Sequence, residues 1–152
     1  MAMLIAILED NADRVLAMKK WLDDRLSMYD RFITNDPHEL IDKLRERMED
    51  VLAVSLDHDL HERPDGSTEL TGMMVVDFLG TQRPRFPVLL HTSNVRDGET
   101  MKRRLLSKEW RVTWVTPFDD TTWIGNDWYP TLKKAIQRGA IPERVPASGE
   151  KD

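Results

Sequence analysis

The sequence of 152 residues contains no cysteine. A disulfide framework is therefore excluded, and so is a metal site built from thiolates. A chain without cysteine fits a reducing compartment, and we expect a cytoplasmic protein.

Long apolar runs are also missing, so the sequence predicts no membrane span and no membrane partner. The opening segment 1–8 lacks the basic leader of a secretion signal and turns acidic at Glu9 and Asp10, so we expect it to form the first strand. The seven glycines form no phosphate-binding loop of the dinucleotide or Walker type, which disfavours those nucleotide-binding classes.

Basic residues are outnumbered, 22 against 27 acidic residues, which gives a net charge of −5. This balance argues against broad electrostatic capture of nucleic acid. A small phosphorylated ligand or the end of an RNA remains a possible partner.

What the chain does contain is a regular alternation of short apolar runs and amphipathic segments. This rhythm predicts an α/β fold, with a parallel sheet covered by helices on both faces. Strands are predicted at 3–8, 29–34, 52–56, 88–91 and 111–116, and helices at 12–26, 37–48, 97–107 and 127–138. A further helix, with Leu70 on its apolar face, is expected to follow the loop 61–67 and to run to about 79. We expect one doubly wound domain over 1–140 with strand order 2-1-3-4-5, and a flexible tail over 141–152.

Polar residues follow four of the predicted strands. These groups are Glu9-Asp10, Asp57-His58-Asp59, His91-Thr92-Ser93-Asn94 and Thr116-Pro117. A buried carboxylate is costly unless it is paired or binds a cation, so such groups indicate a polar pocket. Ligands bind beyond the carboxyl ends of strands in an open parallel sheet, and we expect these groups to open onto one crevice.

The pattern resembles the receiver domains of bacterial response regulators over the chain to about residue 138. The resemblance implies that Glu9 and Asp10 are the magnesium-binding acids and that Asp57 is the phosphoacceptor. Asp59 fits the acceptor position almost as well, and Asp57 is favoured because it is nearer the end of the apolar run. Thr92-Ser93 matches the hydroxyl residue and its small neighbour.

The resemblance breaks at the fifth strand. Receivers end that strand in Lys-Pro, whereas this chain has Thr116-Pro117. The missing ammonium removes a stabiliser of the phosphorylated form. Conventional phosphotransfer signalling is correspondingly less expected.

Instead, the chain has histidines after the third and fourth predicted strands. The acidic first-strand end, the Leu-Asp-His-Asp-Leu of 56–60 and the His-Thr of 91–92 resemble a variant of the receiver fold, the cyclic-phosphate processing receiver family associated with RNA repair. That resemblance implies opening or hydrolysis of a cyclic phosphate.

Such a reaction needs an activated water, a proton for the leaving oxygen and positive charge near the phosphoryl oxygens. The candidate ligands for a divalent metal, magnesium or manganese, are Glu9, Asp10, Asp57 and Asp59. The candidate catalytic residues are Asp57, His58 and His91, and the candidate phosphate-binding residues are Thr92, Ser93 and Asn94. Arg96 is an optional clamp on the phosphate.

A structural interpretation stands beside each assignment. Glu9-Asp10 can cap the first helix, the aspartates can brace loops, and the histidines can be core residues. If the third strand persists past Leu56, its alternation places the side chains of Asp57 and Asp59 on one side and that of His58 on the other. His61 is a further candidate metal ligand. The late tryptophans are expected to pack the fifth helix on the sheet; they are Trp110, Trp114, Trp123 and Trp128.

Three functions therefore stand. The first is a metal-assisted phosphoesterase that acts on cyclic phosphates. The second is an atypical receiver in which Asp57 accepts a phosphoryl group from a histidine kinase or a small donor. The third is a degenerate receiver that acts as a binding module.

Overall fold

A computed structural model describes residues 2–60 and 70–140. The described residues form one five-stranded sheet in the order β2-β1-β3-β4-β5, in which every neighbouring pair is parallel. The strands are β1 (Leu4–Leu8), β2 (Asp30–Thr34), β3 (Val51–Leu56), β4 (Val88–Leu90) and β5 (Val112–Trp114). The predicted α/β class and strand order are confirmed.

The helices are α1 (Ala12–Arg25), α2 (Pro37–Arg47), α3 (Met73–Leu79), α4 (Val95–Ser107) and α5 (Tyr129–Ala140). A 3₁₀ turn over Met48–Asp50 follows α2, and a π-helical turn over Ile124–Trp128 precedes α5. No helix in the described ranges is long and apolar enough to cross a membrane. His61 and the predicted tail over 141–152 lie outside the described residues.

Helix ends follow local side-chain chemistry. The predicted start of α2 is confirmed, since Asp36 caps it by accepting the backbone N–H of His38 at 2.8 Å. Helix α4 begins earlier than predicted because Asn94 caps it, accepting the N–H of Asp97 at 3.0 Å. Helix α3 is shorter than predicted, and Leu70 lies outside it.

Two apolar layers hold the sheet. Alternate residues of β1 face opposite ways: Leu4 and Leu8 pack with α2, α3 and α4, whereas Ile5 and Ile7 pack with α1 and α5. Every residue of β1 is buried because both faces of the strand are covered. The polar groups that follow the strands are consequently held at the edge of a rigid core.

The tryptophans divide between the two layers, so the expectation that all of them pack under the fifth helix is wrong. Trp123 and Trp128 belong to the layer of α1 and α5. Trp110 and Trp114 belong to the opposite layer, where Trp110 Nε1 donates to the carbonyl of Leu79 at 3.1 Å. The indole N–H groups need particular acceptors, which the apolar pattern of the sequence does not reveal.

Helix α4 approaches β5 closely at Gly98. A Cβ atom at this position would lie 2.4 Å from a ring carbon of Trp114, inside van der Waals contact. Any larger residue must therefore displace the indole or the helix.

We predict that Gly98→Ala destabilises the protein by about 1–3 kcal/mol, although alanine is the better helix former. Urea unfolding followed by circular dichroism measures the change. Gly139→Ala in α5 is the matched control, because its Cβ would meet only ordinary contacts of 3.7 and 3.9 Å. Equal stabilities of the two variants would contradict this account of the α4–β5 contact.

Candidate functional site

Three buried polar residues meet where β1, β3 and β4 end. Glu9, Asp57 and His91 each follow one of these neighbouring strands, and their potential ligand atoms all lie within 4.8 Å of one another. Parallel pairing continues past the strands, since Asp57 N donates to Leu8 O at 3.1 Å and His91 N donates to Leu56 O at 2.9 Å. The backbone of the sheet thus fixes the spacing of the three side chains.

Both ring nitrogens of His91 are engaged inside the protein. Nε2 lies 3.0 Å from Glu9 Oε1, and Nδ1 lies 2.7 Å from Ser55 Oγ. Ser55 Oγ also accepts the indole N–H of Trp128 at 3.0 Å, so its own hydrogen is free to point to Nδ1. This pattern assigns a proton to Nε2, facing Glu9.

Glu9 is an ionised carboxylate in this setting. Burial on its own raises the pKa of Glu9, but the hydrogen bond and electrostatic attraction of His91 act against burial. The backbone N–H of Asn11, which donates to Oε2 at 3.0 Å, and the nearby Arg14 lower the pKa further. The net result is a pKa below the ordinary value.

Asp57 behaves differently although it lies beside Glu9. Burial raises the pKa of Asp57 to about 6, and the negative charge of Glu9 adds to the increase. His91, the N–H of His58 at 2.7 Å and Arg14 oppose these effects without cancelling them. A carboxylate that is buried beside another carboxylate favours a bound proton or a bound cation.

Arg14 provides positive charge at this group. Its Nη1 lies 3.7 Å from Glu9 Oε1 and 3.7 Å from Asp57 Oδ2. The guanidinium carbon also lies 5.4 Å from the ring centroid of Trp123, whose ring stacks beside His91 at 6.1 Å. Helix α1 and the turn before α5 thus both contribute to the site.

His58 and Asp59 form a second group with residues of α4. His58 Nδ1 lies 2.7 Å from Asp59 Oδ1, and His58 Nε2 lies 3.6 Å from Asp97 Oδ2. The amide nitrogen of Asn94 donates to Asp59 Oδ1 at 3.2 Å and to Asp97 Oδ2 at 2.9 Å. The side chains of His58, Asp59 and Asp97 also have potential ligand atoms within 4.8 Å of one another.

The third strand does not persist past Leu56, so the alternation expected for a longer strand does not apply. Asp57 and Asp59 belong to different groups, and His58 contacts Asp59 instead of pointing away from it. The strand ends at Leu56, and the backbone then turns, so the two-residue period does not continue.

This turn is held by Gly72 and Thr71. Gly72 N donates to His58 O at 2.9 Å, and Asp59 pairs with Thr71 in an antiparallel bridge. A Cβ atom at Gly72 would lie 1.9 Å from the carbonyl oxygen of Asp57. The close approach requires glycine, and it fixes the backbone that carries Asp57.

The candidate phosphate-binding residues lie in the turn between β4 and α4. Thr92 is buried, and its Oγ1 accepts the N–H of Asn94 at 3.1 Å. The indole of Trp114 donates to the carbonyl of Thr92 at 2.9 Å. Ser93 and Arg96 are exposed, so their side chains are accessible from solvent.

Asp10 is half-buried and lies outside both groups of potential metal ligands among the described residues. It lines a groove of about 480 Å³ between α1 and the end of β2, together with Lys19 and Thr34. Thr116, which follows β5, is exposed. Glu9 lines the same groove, so the two acids share this surface, although of the two it is Glu9 that belongs to the buried group.

Comparison with known families assigns the chain. Residues 18–107, more than half of the chain, match the family model of the cyclic-phosphate processing receiver domain. The chain belongs to this family. The matched range includes Asp57 and His91 but begins after Glu9 and Arg14.

Solved receiver domains share the fold. The phosphorylated cyanobacterial phytochrome response regulator RcpA is 13% identical, with a TM-score of 0.71 over 94% of this chain and 100% of that one. The Mn²⁺-bound response regulator Rcp1 is 14% identical, with a TM-score of 0.62 over 95% and 99%. The Ssk1 receiver domain, solved with the phosphotransfer protein Ypd1 of Saccharomyces cerevisiae, is 14% identical, with a TM-score of 0.64 over 93% and 94%. A comparison with curated protein sequences finds no match.

The chain is therefore a receiver domain of the response-regulator type, and the resemblance found in its sequence is confirmed. Sequence reasoning missed Arg14, Ser55 and Asp97. Ser55 carried a usable signal, because it is a lone polar residue in the apolar run of β3. Arg14 carried a weaker one, its place in the first turn of the helix that follows Glu9.

We predict that Asp57→Asn stabilises the protein at neutral pH without metal. The folded protein holds the Asp57 proton more tightly than the unfolded chain does, so this contribution to stability is complete below pH 3.8 and is lost as the pH rises through about 6. The raised pKa of Asp57 corresponds to a loss of about 3 kcal/mol in the stability of the wild type when Asp57 is ionised. Asparagine carries no charge and avoids this loss.

Urea unfolding in EDTA at pH 7.5 and pH 4.5 measures the difference between variant and wild type. The difference in free energy of unfolding between Asp57→Asn and the wild type is expected to be smaller at pH 4.5. Asp42→Asn is the control, because Asp42 is exposed on α2 and its loss is expected to change stability by less than about 0.5 kcal/mol. A destabilised Asp57→Asn at pH 7.5 would contradict the raised pKa.

Proposed function

We propose that this receiver domain is a metal-assisted phosphoesterase that opens a cyclic phosphate on a nucleoside or at an RNA end. The family description supports this reaction class. The observation that carries the proposal is the pairing of each strand-end histidine with a carboxylate: His91 with Glu9 at 3.0 Å and His58 with Asp59 at 2.7 Å. Paired imidazoles beside an acidic group supply proton transfer and charge stabilisation together.

The buried acids fit a divalent cation. Glu9 and Asp57 are close enough for the charge of Glu9 to raise the pKa of Asp57, and a shared cation would relieve that repulsion. Carboxylate oxygens are the ligands that magnesium and manganese prefer, and the solved neighbour Rcp1 is a manganese-bound receiver. Asp10, next in sequence, is the candidate for a third oxygen ligand.

A bound metal would polarise the phosphoryl oxygens and lower the pKa of a bound water. His91 is not needed as a ligand, because both of its nitrogens already have partners. We assign it the positioning of Glu9. Asp59 is likewise assigned to His58 and not to the metal, because it lies in the second group.

His58 is the proposed proton carrier. Its Nδ1 is held by Asp59 at 2.7 Å, while Nε2 lies 3.6 Å from Asp97, beyond hydrogen-bond distance. When the cyclic phosphate opens, the oxygen of a water molecule bonds to phosphorus and one P–O bond of the cyclic phosphate breaks. The water loses a proton and the leaving oxygen gains one, and His58 Nε2 can carry that proton.

Metal binding at Glu9 and Asp57 predicts a thermal shift. Magnesium or manganese at 100 times its dissociation constant stabilises the wild type by about 2.7 kcal/mol. Asp57→Asn is expected to abolish the shift, whereas Asp59→Asn keeps it. Differential scanning fluorimetry over a metal titration measures all three proteins, and a shift that depends on Asp59 instead of Asp57 would move the metal to the second group.

Turnover tests the reaction itself. We expect the wild type with Mn²⁺ to convert a nucleoside 2′,3′-cyclic phosphate to a monoester, observed by ³¹P NMR. His58→Ala is expected to lower kcat by about 100-fold or more, as for loss of a general acid or base. His38→Ala is the matched control, because His38 is exposed at the start of α2.

The second candidate is an atypical response-regulator receiver that is phosphorylated on Asp57. The buried position of Asp57 at the end of β3 favours it, and the solved neighbour Ssk1 is bound to a phosphotransfer protein. Incubation with acetyl phosphate followed by intact-mass analysis distinguishes the two functions. A stable adduct on Asp57, with no cyclic phosphate opened by any divalent metal, would favour signalling.

A further inference from the structure

We infer that Arg14 is the phosphate-binding cation of this site. The inference rests on the proposed function, since it requires a phosphoryl group beside Asp57. Two buried carboxylates repel an anionic ligand, so binding needs positive charge between them and the phosphate. Among residues 2–60 and 70–140, Arg14 is the lysine or arginine whose side chain lies within 4.0 Å of Glu9 or Asp57.

The distances leave the guanidinium free to bind a ligand. Charge-assisted N–H···O bonds are about 2.7–2.9 Å long. Both contacts of Arg14, to Glu9 and to Asp57, are 3.7 Å, and its side chain makes no hydrogen bond within the described ranges. The carboxylates therefore attract Arg14 without consuming its N–H donors.

The position of the guanidinium is fixed by packing. Trp123 is fully buried, and Arg14 lies over its ring at 5.4 Å. The backbone N–H of Arg14 donates to the capping side chain of Asn11 at 3.0 Å, which anchors the first turn of α1. The side chain remains 24% exposed, so it can be approached from solvent.

A planar guanidinium held in this way suits phosphate. Its fork of N–H groups binds two phosphoryl oxygens at once, which an ammonium cannot do. Trp123, over whose ring Arg14 lies, has a buried indole N–H that finds no acceptor among the described residues.

The test is binding of inorganic phosphate in the presence of Mg²⁺, measured by isothermal titration calorimetry. We expect Arg14→Met to weaken phosphate binding by about 10-fold or more, as for loss of a charged hydrogen-bonding partner. Arg14→Lys restores the charge without the fork and is expected to bind with intermediate affinity. Methionine retains the length of the side chain and its preference for helix.

Arg25→Met is the matched control. Arg25 lies on the same helix and over a tryptophan, Trp21, at the same distance of 5.4 Å, but it forms no ion pair with a carboxylate of the described residues. It is expected to bind phosphate as the wild type does. Circular dichroism of every variant establishes that the fold is retained.

Manganese affinity, measured by electron paramagnetic resonance, separates the two roles open to Arg14. If Arg14 binds phosphate, Arg14→Met has a lower phosphate affinity than the wild type and binds Mn²⁺ at least as tightly. If Arg14 only neutralises the carboxylates, Arg14→Met binds Mn²⁺ more tightly than the wild type and binds phosphate equally well. That result would overturn the inference.

The phosphate-binding test of Arg14 does not depend on whether the protein opens a cyclic phosphate. Loss of phosphate binding in Arg14→Met supports the inference even if the wild type opens no cyclic phosphate, in which case the proposed enzymatic function fails alone. Turnover by the wild type together with unchanged phosphate binding and kcat in Arg14→Met refutes the inference and leaves the function standing. A wild type that binds no phosphate also refutes it.

Discussion

The hydrogen bond between His91 and Glu9 organises this end of the sheet. It joins the residue after β4 to the residue after β1 and so bridges β3, which lies between them. Asp57, at the end of β3, is consequently surrounded by buried polar groups and not by water. The pKa of Glu9 is lowered because His91 hydrogen-bonds to it, whereas burial raises the pKa of Asp57, which has no such bond with His91.

A second hydrogen bond of His91, between its Nδ1 and Ser55, connects the site to the apolar layer of α1 and α5. Ser55, the last residue but one of β3, contacts the turn before α5 and links Trp128 to the ring of His91. A buried serine in an apolar strand costs free energy unless its hydroxyl is satisfied, and here it is satisfied twice. The orientation of His91 is therefore determined by a helix on one face of the sheet and by a carboxylate at its edge.

Much of the fold was predictable because parallel sheets leave a strong pattern. Strands covered on both faces are short and apolar, and the polar residues that follow them mark the functional edge. The convergence of Glu9, Asp57 and His91 is a consequence of strand order alone. It needed no knowledge of any side-chain conformation.

Other parts of the site depended on side-chain geometry, which the sequence does not encode locally. Asp57 and Asp59 separate because the chain turns directly after Leu56, and that turn depends on Gly72, which is distant in sequence. Arg14 reaches the carboxylates because Trp123, from the other end of the chain, supports its side chain. Such contacts are tertiary, and amphipathic periodicity carries no information about them.

The contact of Trp114 with Gly98 and Thr92 has a consequence for motion. The indole is fixed at one end by the Thr92 carbonyl at 2.9 Å and lies against α4 where Gly98 has no side chain. The turn after β4 therefore cannot shift towards Asp57 without breaking this hydrogen bond and opening a cavity beside the ring. A switch requires two conformations of similar free energy, and this contact favours one conformation of the turn. Preorganisation of the turn suits a pocket that must return unchanged after every encounter with its ligand.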